Sequence, residues 1–171
     1  KIVEFGIQAL KAVWHRGAVD ADGKTGDGAG IHIEIPEKFF IERIQNAGRQ
    51  HKEGIICVGM IFLPRNDSTL QEKCKTIVEN ELLRKNYYIY RWRQVPVNTK
   101  VLGIKAERNR PEIVQVIFKS NNKNLKGDNL ERDLFVIRKK IEAQSNILNI
   151  KDFYIASFSS RSIIYKGMFL A

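Results

Sequence analysis

Cysteine is scarce in this chain. Two residues, Cys57 and Cys74, occur in 171, and both fall inside apolar patterns. A disulfide framework is therefore excluded as the source of stability, and the pair reads as reduced core residues of a cytoplasmic protein. The three histidines, His15, His32 and His51, are scattered and share no Cys/His cluster at metal-ligand spacing, so no metal site is expected. No Pro/Ser-rich linker, low-complexity tract or internal repeat divides the sequence, which favours one domain at this length. The longest apolar stretch, Ile55 to Leu63, is too short to span a bilayer as a helix. The first residues form no apolar signal segment. The motifs GxxxxGK[ST], GxSxG and HExxH are missing, and with them the commonest phosphate-cradle, serine-hydrolase and zinc-protease signatures.

What is present is basic and globular. Hydrophobic residues make up 43% and the formal net charge is +10, with a pI near 9.7. Local basic clusters occur at Lys119 to Lys126 and Arg138 to Lys140, but Lys and Arg are otherwise spread along the chain. That distribution reads as surface solvation, and no nucleic-acid motif or membrane segment accompanies it.

Periodicity gives the order α, β, α, β, α, β, β, α, β, β. Val3, Ile7, Leu10 and Trp14 line one face of a helix over Ile2 to Trp14, with Gly6 small enough for another element to approach. Ile31, Ile33 and Ile35 alternate with His32 and Glu34 as a strand. Pro36 opens a helix with Phe40, Ile44 and Ala47 on its face, and Gly48 stops it. Ile55 to Leu63 is apolar on both faces and predicts a central strand. Ser68 and Gln71 form a capping-box pattern for a helix to about Arg84. Tyr87 to Val97 predicts a strand with Tyr88, Tyr90 and Trp92 on one face and Ile89, Arg91 and Arg93 on the other. Asn98 to Arg110 reads mostly as loop, and Glu112 to Lys119 as a buried strand. Asp128 and Glu131 are expected to cap a helix bearing Leu130, Leu134, Ile137 and Ile141. Phe153 to Phe158 and Ser162 to Tyr165 look like strands paired across a Ser159–Ser160–Arg161 turn. Intermixed elements of this kind predict an α+β protein with helices outside sheets.

The most unusual stretch is His15 to Gly30, HRGAVDADGKTGDGAG, with five of the twelve glycines and three aspartates in sixteen residues. Gly26 to Gly30 (GDGAG) misses the GxGxxG spacing and precedes a strand instead of a helix, so a dinucleotide fingerprint fails on context. Arg16 beside Gly17 offers a planar fork suited to a carboxylate or chain terminus. It would also suit the C-terminal end of the preceding helix. The small residues of Asp27–Gly28–Ala29–Gly30 would let another strand or a substrate lie close.

These residues carry a resemblance. A helix ending in HRG, followed by an acid–small–Gly segment entering a strand, resembles the class II glutamine amidotransferases. The longer form HRGA…TGDGAGI is similar to the glutaminase domain at the start of the large chain of glutamate synthases. Tyr90–Arg91–Trp92 with Val95–Pro96, and Ser160–Arg161 with Ile164–Tyr165–Lys166–Gly167–Met168, agree with it. The resemblance spans essentially the whole chain. It implies a partial four-layer αββα sandwich of the N-terminal-nucleophile hydrolase type, with residues 1–171 as one partial domain cut at both ends.

The implied reaction is hydrolysis of glutamine to glutamate and ammonia by an N-terminal cysteine whose own α-amino group serves as base. The ammonia then serves reductive amination of 2-oxoglutarate. The resemblance implies FMN and an iron–sulfur cluster in other domains, none in this stretch, and partners in the remaining domains and a small electron-transfer subunit. No nucleophile stands within the chain. The cysteine is expected upstream of Lys1, and the chain alone is expected to be inactive. Arg16, Gly17, Asp27, Gly28 and Gly30 are the candidate site-edge residues. Two other readings are another class II amidotransferase and a basic binding module using Tyr88, Tyr90, Trp92 and Arg91.

Overall fold

The computed structural model describes residues 1–13 and 17–168. The chain carries α1 (Ile2–Ala12), β1 (Ala29–Glu34), α2 (Glu37–Gln45), β2 (Ile56–Leu63), α3 (Ser68–Arg84), β3 (Tyr87–Gln94), α4 (Ile104–Arg108), β4 (Glu112–Ser120), α5 (Gly127–Ile147), β5 (Tyr154–Ser159) and β6 (Ser162–Gly167). It is α+β, as the periodicity predicts. Two compact units form: Lys1–Ile33 with Pro96–Arg110 and the chain from Ile164, and Glu34–Val95 with Pro111–Ile163.

The second unit is built on a four-stranded sheet in the order β3-β4-β2-β5, with every neighbouring pair antiparallel. β2 is interior and buried at seven of its eight positions, as an unbroken apolar run requires. Cys57, Ile61 and Leu63 join Val116 and Phe118 of β4 beneath α3 and α5. α5 supplies Leu130, Leu134, Ile137 and Ile141, all fully buried, at the helical spacing read from the sequence. Gly59 sits where no side chain fits: a Cβ there would lie 2.7 Å from Val116 and from Phe158. Its neighbours on both sides fill that space.

Five expectations are corrected here. α3 is capped by Asp67, whose carboxylate accepts from Leu70 N at 2.8 Å, so Ser68 lies inside the helix. Gln71 instead ties the approach, donating to the Pro64 and Arg65 carbonyls. The three aromatics of β3 do not share a face, because a bulge between Ile89 and Arg91 breaks the alternation. Ile89 and Trp92 therefore pack on the α3/α5 side, while Tyr88 meets Tyr90 edge to face. Asp128 and Glu131 do not cap α5, whose N-cap residue Lys126 makes no side-chain cap bond. The two acids hold the β5–β6 turn instead: Asp128 binds Arg161 at 2.5 Å and Glu131 binds Ser159 and Ser160. β5 and β6 are not partners. β5 pairs with β2, and β6 pairs with β1 in a separate two-stranded sheet, since Ser160–Arg161 turns the chain out of the first sheet. Finally, the Asn98–Arg110 segment is not plain loop; it holds a 3-10 turn at Thr99–Val101 and α4.

In the first unit, α1 ends at Ala12 and buries none of its residues. Its expected apolar face is only partly realised: Leu10 is half-buried, Val3 and Ile7 are exposed, and Trp14 lies outside the described residues. Gly6 does admit a neighbour, with Ile31 of β1 3.1 Å from where its Cβ would stand. β1 alternates half-buried and exposed as predicted, with His32 outward.

Candidate functional site

The Gly-rich stretch is an ordered hairpin. Asp20 N donates to Thr25 O at 2.8 Å and Asp27 N to Ala18 O at 3.2 Å, bracketing a bridge between Val19 and Gly26. The Asp27 carboxylate closes the base by accepting from Ala18 N at 3.1 Å. At the tip, Gly23 takes φ +67°, the left-handed region that glycine enters at no steric cost. Aspartate binds its own turn there: Asp22 Oδ1 accepts from Lys24 N at 2.9 Å and Thr25 N at 2.7 Å.

The second arm runs into β1 through two glycines, the first favoured by its positive φ and the second required by packing. Gly28 has φ +121°, and a Cβ there would stand 3.3 Å from the Gly167 carbonyl. A Cβ on Gly30 would lie 2.9 Å from both the Tyr165 carbonyl and Lys166 Cβ. These small residues therefore admit a neighbouring strand, β6, which was one of the two occupants their spacing allowed. The structure brings Asp27, Gly28 and Gly30 together along one arm and places Gly17 at the start of the other. Arg16 lies outside the described residues.

Sequence reasoning missed the partners of the tip. Asp22 Oδ2 accepts from Thr25 Oγ1 at 2.6 Å and from Lys105 N at 3.4 Å. Thr25 Oγ1 in turn accepts from Ala106 N at 3.3 Å. The N-cap of α4 is Gly103, which has no side chain to cap the helix, and two of its unpaired N–H groups are met by the hairpin. Gly103 has an ordinary φ of −73°. Glycine is required there by proximity, since a Cβ would fall on Asp22 Oδ2 and Thr25 Oγ1 and 2.6 Å from Thr25 N. Hydrogen bonds from Thr25 hold the Asp22 carboxyl well below the usual carboxylate range. Lys105 likewise lowers Asp20, through an ion pair of 2.6 Å. DADGKT announces an aspartate-closed turn in the sequence; nothing in it points to a partner some eighty residues away.

Neither cysteine is placed as a nucleophile. Cys57 and Cys74 are free and fully buried. Burial pushes the Cys57 thiol up and the Cys74 thiol to about 11, so thiolate is suppressed in both. In the aromatic–basic strand Tyr90 is buried and Trp92 donates to Glu79 at 2.7 Å, so both are committed to packing, while Tyr88 is exposed. A cleft of about 410 Å3 lined by Glu81, Arg84, Lys140 and Gln144 shares no residue with the hairpin. No helix among the described residues is long and apolar enough to cross a membrane.

A hairpin of this kind, entering a strand through Asp–Gly–Ala–Gly, sits within a chain matched from end to end by one family. The family model of class-II glutamine amidotransferases covers residues 1–171, and the chain belongs to that family. It is 55% identical over 170 residues to the glutamate synthase [NADPH] large chain of Azospirillum brasilense, covering 99% of this chain and 11% of that protein. It is 44% identical over 173 residues to the ferredoxin-dependent glutamate synthase of Pyropia yezoensis, covering 98% and 11%. It is 37% identical over 172 residues to the glutamate synthase [NADPH] large chain of Bacillus subtilis, again 98% and 11%. The chain thus spans about a tenth of the length of the curated relatives it matches.

Proposed function

We infer that the chain is part of the glutaminase domain of a glutamate synthase large chain, which hydrolyses glutamine to glutamate and ammonia. The ammonia serves reductive amination of 2-oxoglutarate in other domains of the same enzyme. The observation that carries this reading is the family match across residues 1–171 together with 55% identity to a glutamate synthase large chain.

The residues divide the work as follows. The nucleophile in this reading is an N-terminal cysteine; Cys57 and Cys74 do not serve as it, since both are buried with their thiol ionisation suppressed. Arg16, Gly17, Asp27, Gly28 and Gly30 belong to the site edge, where a guanidinium at Arg16 offers a bidentate grip for a carboxylate or chain terminus. FMN and the iron–sulfur cluster would belong to other domains, where they would relay electrons from a reduced donor to the amination step, and a small electron-transfer subunit and the cytoplasm complete the setting.

The test uses the full-length large chain. It is expected to release glutamate from glutamine, and Arg16→Lys, which keeps the charge and loses the fork, is expected to lower that rate. A full-length chain with no glutaminase activity would overturn the function. An Arg16→Lys enzyme indistinguishable from wild type would overturn the role of Arg16.

A further inference from the structure

The hairpin has two anchors, and only one belongs to its own strand. Its base runs into β1, where Gly28 and Gly30 fit closely against Gly167, Tyr165 and Lys166. Its tip is held from elsewhere in the chain, by the clasp of Asp22 and Thr25 on the first N–H groups of α4. Between the anchors lie the candidate site-edge residues Gly17 and Asp27.

We propose that Asp22 and Thr25 are positioning residues for the glutamine site, which fix the path of the Gly17–Gly30 hairpin by clasping its tip to Gly103–Ala106. The proposal rests on the reading of the hairpin as the edge of the glutaminase site.

Three observations support a positioning role over a decorative turn. The Asp22 carboxylate receives four hydrogen bonds, three from within the turn and one from Lys105 N. A single surface turn needs only the first three. Thr25 is 2% exposed in a hairpin that is otherwise largely open to solvent. Its hydroxyl donates to Asp22 and accepts from Ala106 N, so it is committed in both directions. Gly103 leaves no room for any side chain between the hairpin and α4. A buried hydroxyl relay of this kind favours one register of hairpin against helix, because Lys105 N is paired to Asp22 and Ala106 N to Thr25. Freed at the tip, the arms still pair, but the base carrying Asp27 pivots about Gly28. Small displacements of groups that hold a substrate lower the rate without touching the reacting atoms.

The test uses the full-length enzyme with glutamine as substrate. Asp22→Ala and Thr25→Val are expected to raise KM for glutamine about tenfold with kcat changed less than about twofold. Thr25→Ser, which retains the hydroxyl, is expected to restore KM to near the wild-type value. Amide exchange at residues 18–27 is expected to quicken in the first two variants and to return to wild-type rates in the third. Asp27→Ala serves as the separate control for the site-edge reading. If Asp27→Ala raises KM while Asp22→Ala and Thr25→Val open the hairpin yet leave KM unchanged, the positioning role is overturned and the site-edge reading stands. If Asp27→Ala also leaves kcat/KM intact, the site-edge reading itself fails. If Thr25→Ser behaves as Thr25→Val does, the hydroxyl relay is wrong.

Discussion

Ser160 gives both its hydroxyl and its main-chain N–H to one oxygen of Glu131, at 2.5 and 2.7 Å. The other oxygen of Glu131 accepts from Ser159 Oγ at 2.8 Å, and Ser159 Oγ accepts from Arg161 N at 2.9 Å. One carboxylate on α5 thus holds the corner at which the chain leaves β5 of the four-stranded sheet and starts β6. Glu131→Ala strips the acceptor from three donors and is expected to cost about 2–3 kcal/mol. Glu131→Gln keeps one carbonyl oxygen and should lie closer to wild type. Urea denaturation of the three proteins checks the order; equal midpoints for Glu131→Ala and wild type would contradict it.

Gly59 gives a second prediction from a different force. It is not at a positive φ, so backbone freedom is not the reason for glycine there. A methyl group would lie 2.7 Å from side-chain atoms of both Val116 and Phe158, and the sheet holds both neighbours in place. Gly59→Ala is expected to destabilise by about 1–3 kcal/mol through overpacking, against the gain in strand propensity that the same change gives elsewhere. A denaturation midpoint at or above that of wild type would show that Phe158 can move aside.

Cys57 and Cys74 allow a chemical test of the burial argument. Alkylation needs thiolate, and both thiols are fully buried with their ionisation suppressed. Iodoacetamide at about pH 8, below the usual thiol range, should leave the native protein unmodified and add to both cysteines in urea. Mass spectrometry reads the outcome. An adduct on native Cys57 would reopen it as a candidate nucleophile.

Much of the fold is legible in the sequence where one force dominates. The unbroken apolar run of β2 reads as an interior strand, and the four apolar positions of α5 at helical spacing as a core-facing side, and both are buried. Legibility fails where two local solutions compete. Asp67 and Ser68 can each cap α3, and the residue that reaches Leu70 N wins. Asp128 and Glu131 read as a helix start, yet long-range partners in Ser159, Ser160 and Arg161 claim them. The bulge in β3 moves Trp92 to the opposite face from Tyr88 without any turn residue to announce it. The candidate site divides the same way. The glycines and aspartates of the hairpin mark themselves by composition, while Gly103, Lys105 and Ala106 become part of it only through the fold.

The pH dependence of stability follows from groups on both sides of neutrality. Burial pushes the Cys74 thiol from 9.0 up to about 11 and the Tyr90 hydroxyl from 10.0 up to about 12. For both groups the unfolded chain loses its proton first. Above pH 9 the folded state therefore binds more protons than the unfolded one, and stability falls as pH rises. Asp22 and Glu142 move the other way. Thr25 lowers Asp22, and ion pairing with Lys139 and Arg138 lowers Glu142 against the opposing effect of its burial. Their contribution is present above the unfolded values of 3.8 and 4.5 and is lost as pH falls through and below them. Urea midpoints across the pH range should thus decline at both ends. The alkaline decline should begin near pH 9, and Cys74→Ser, whose hydroxyl does not titrate there, should weaken it. An alkaline limb that is unchanged in Cys74→Ser would assign the loss to Cys57 and the tyrosines instead of Cys74.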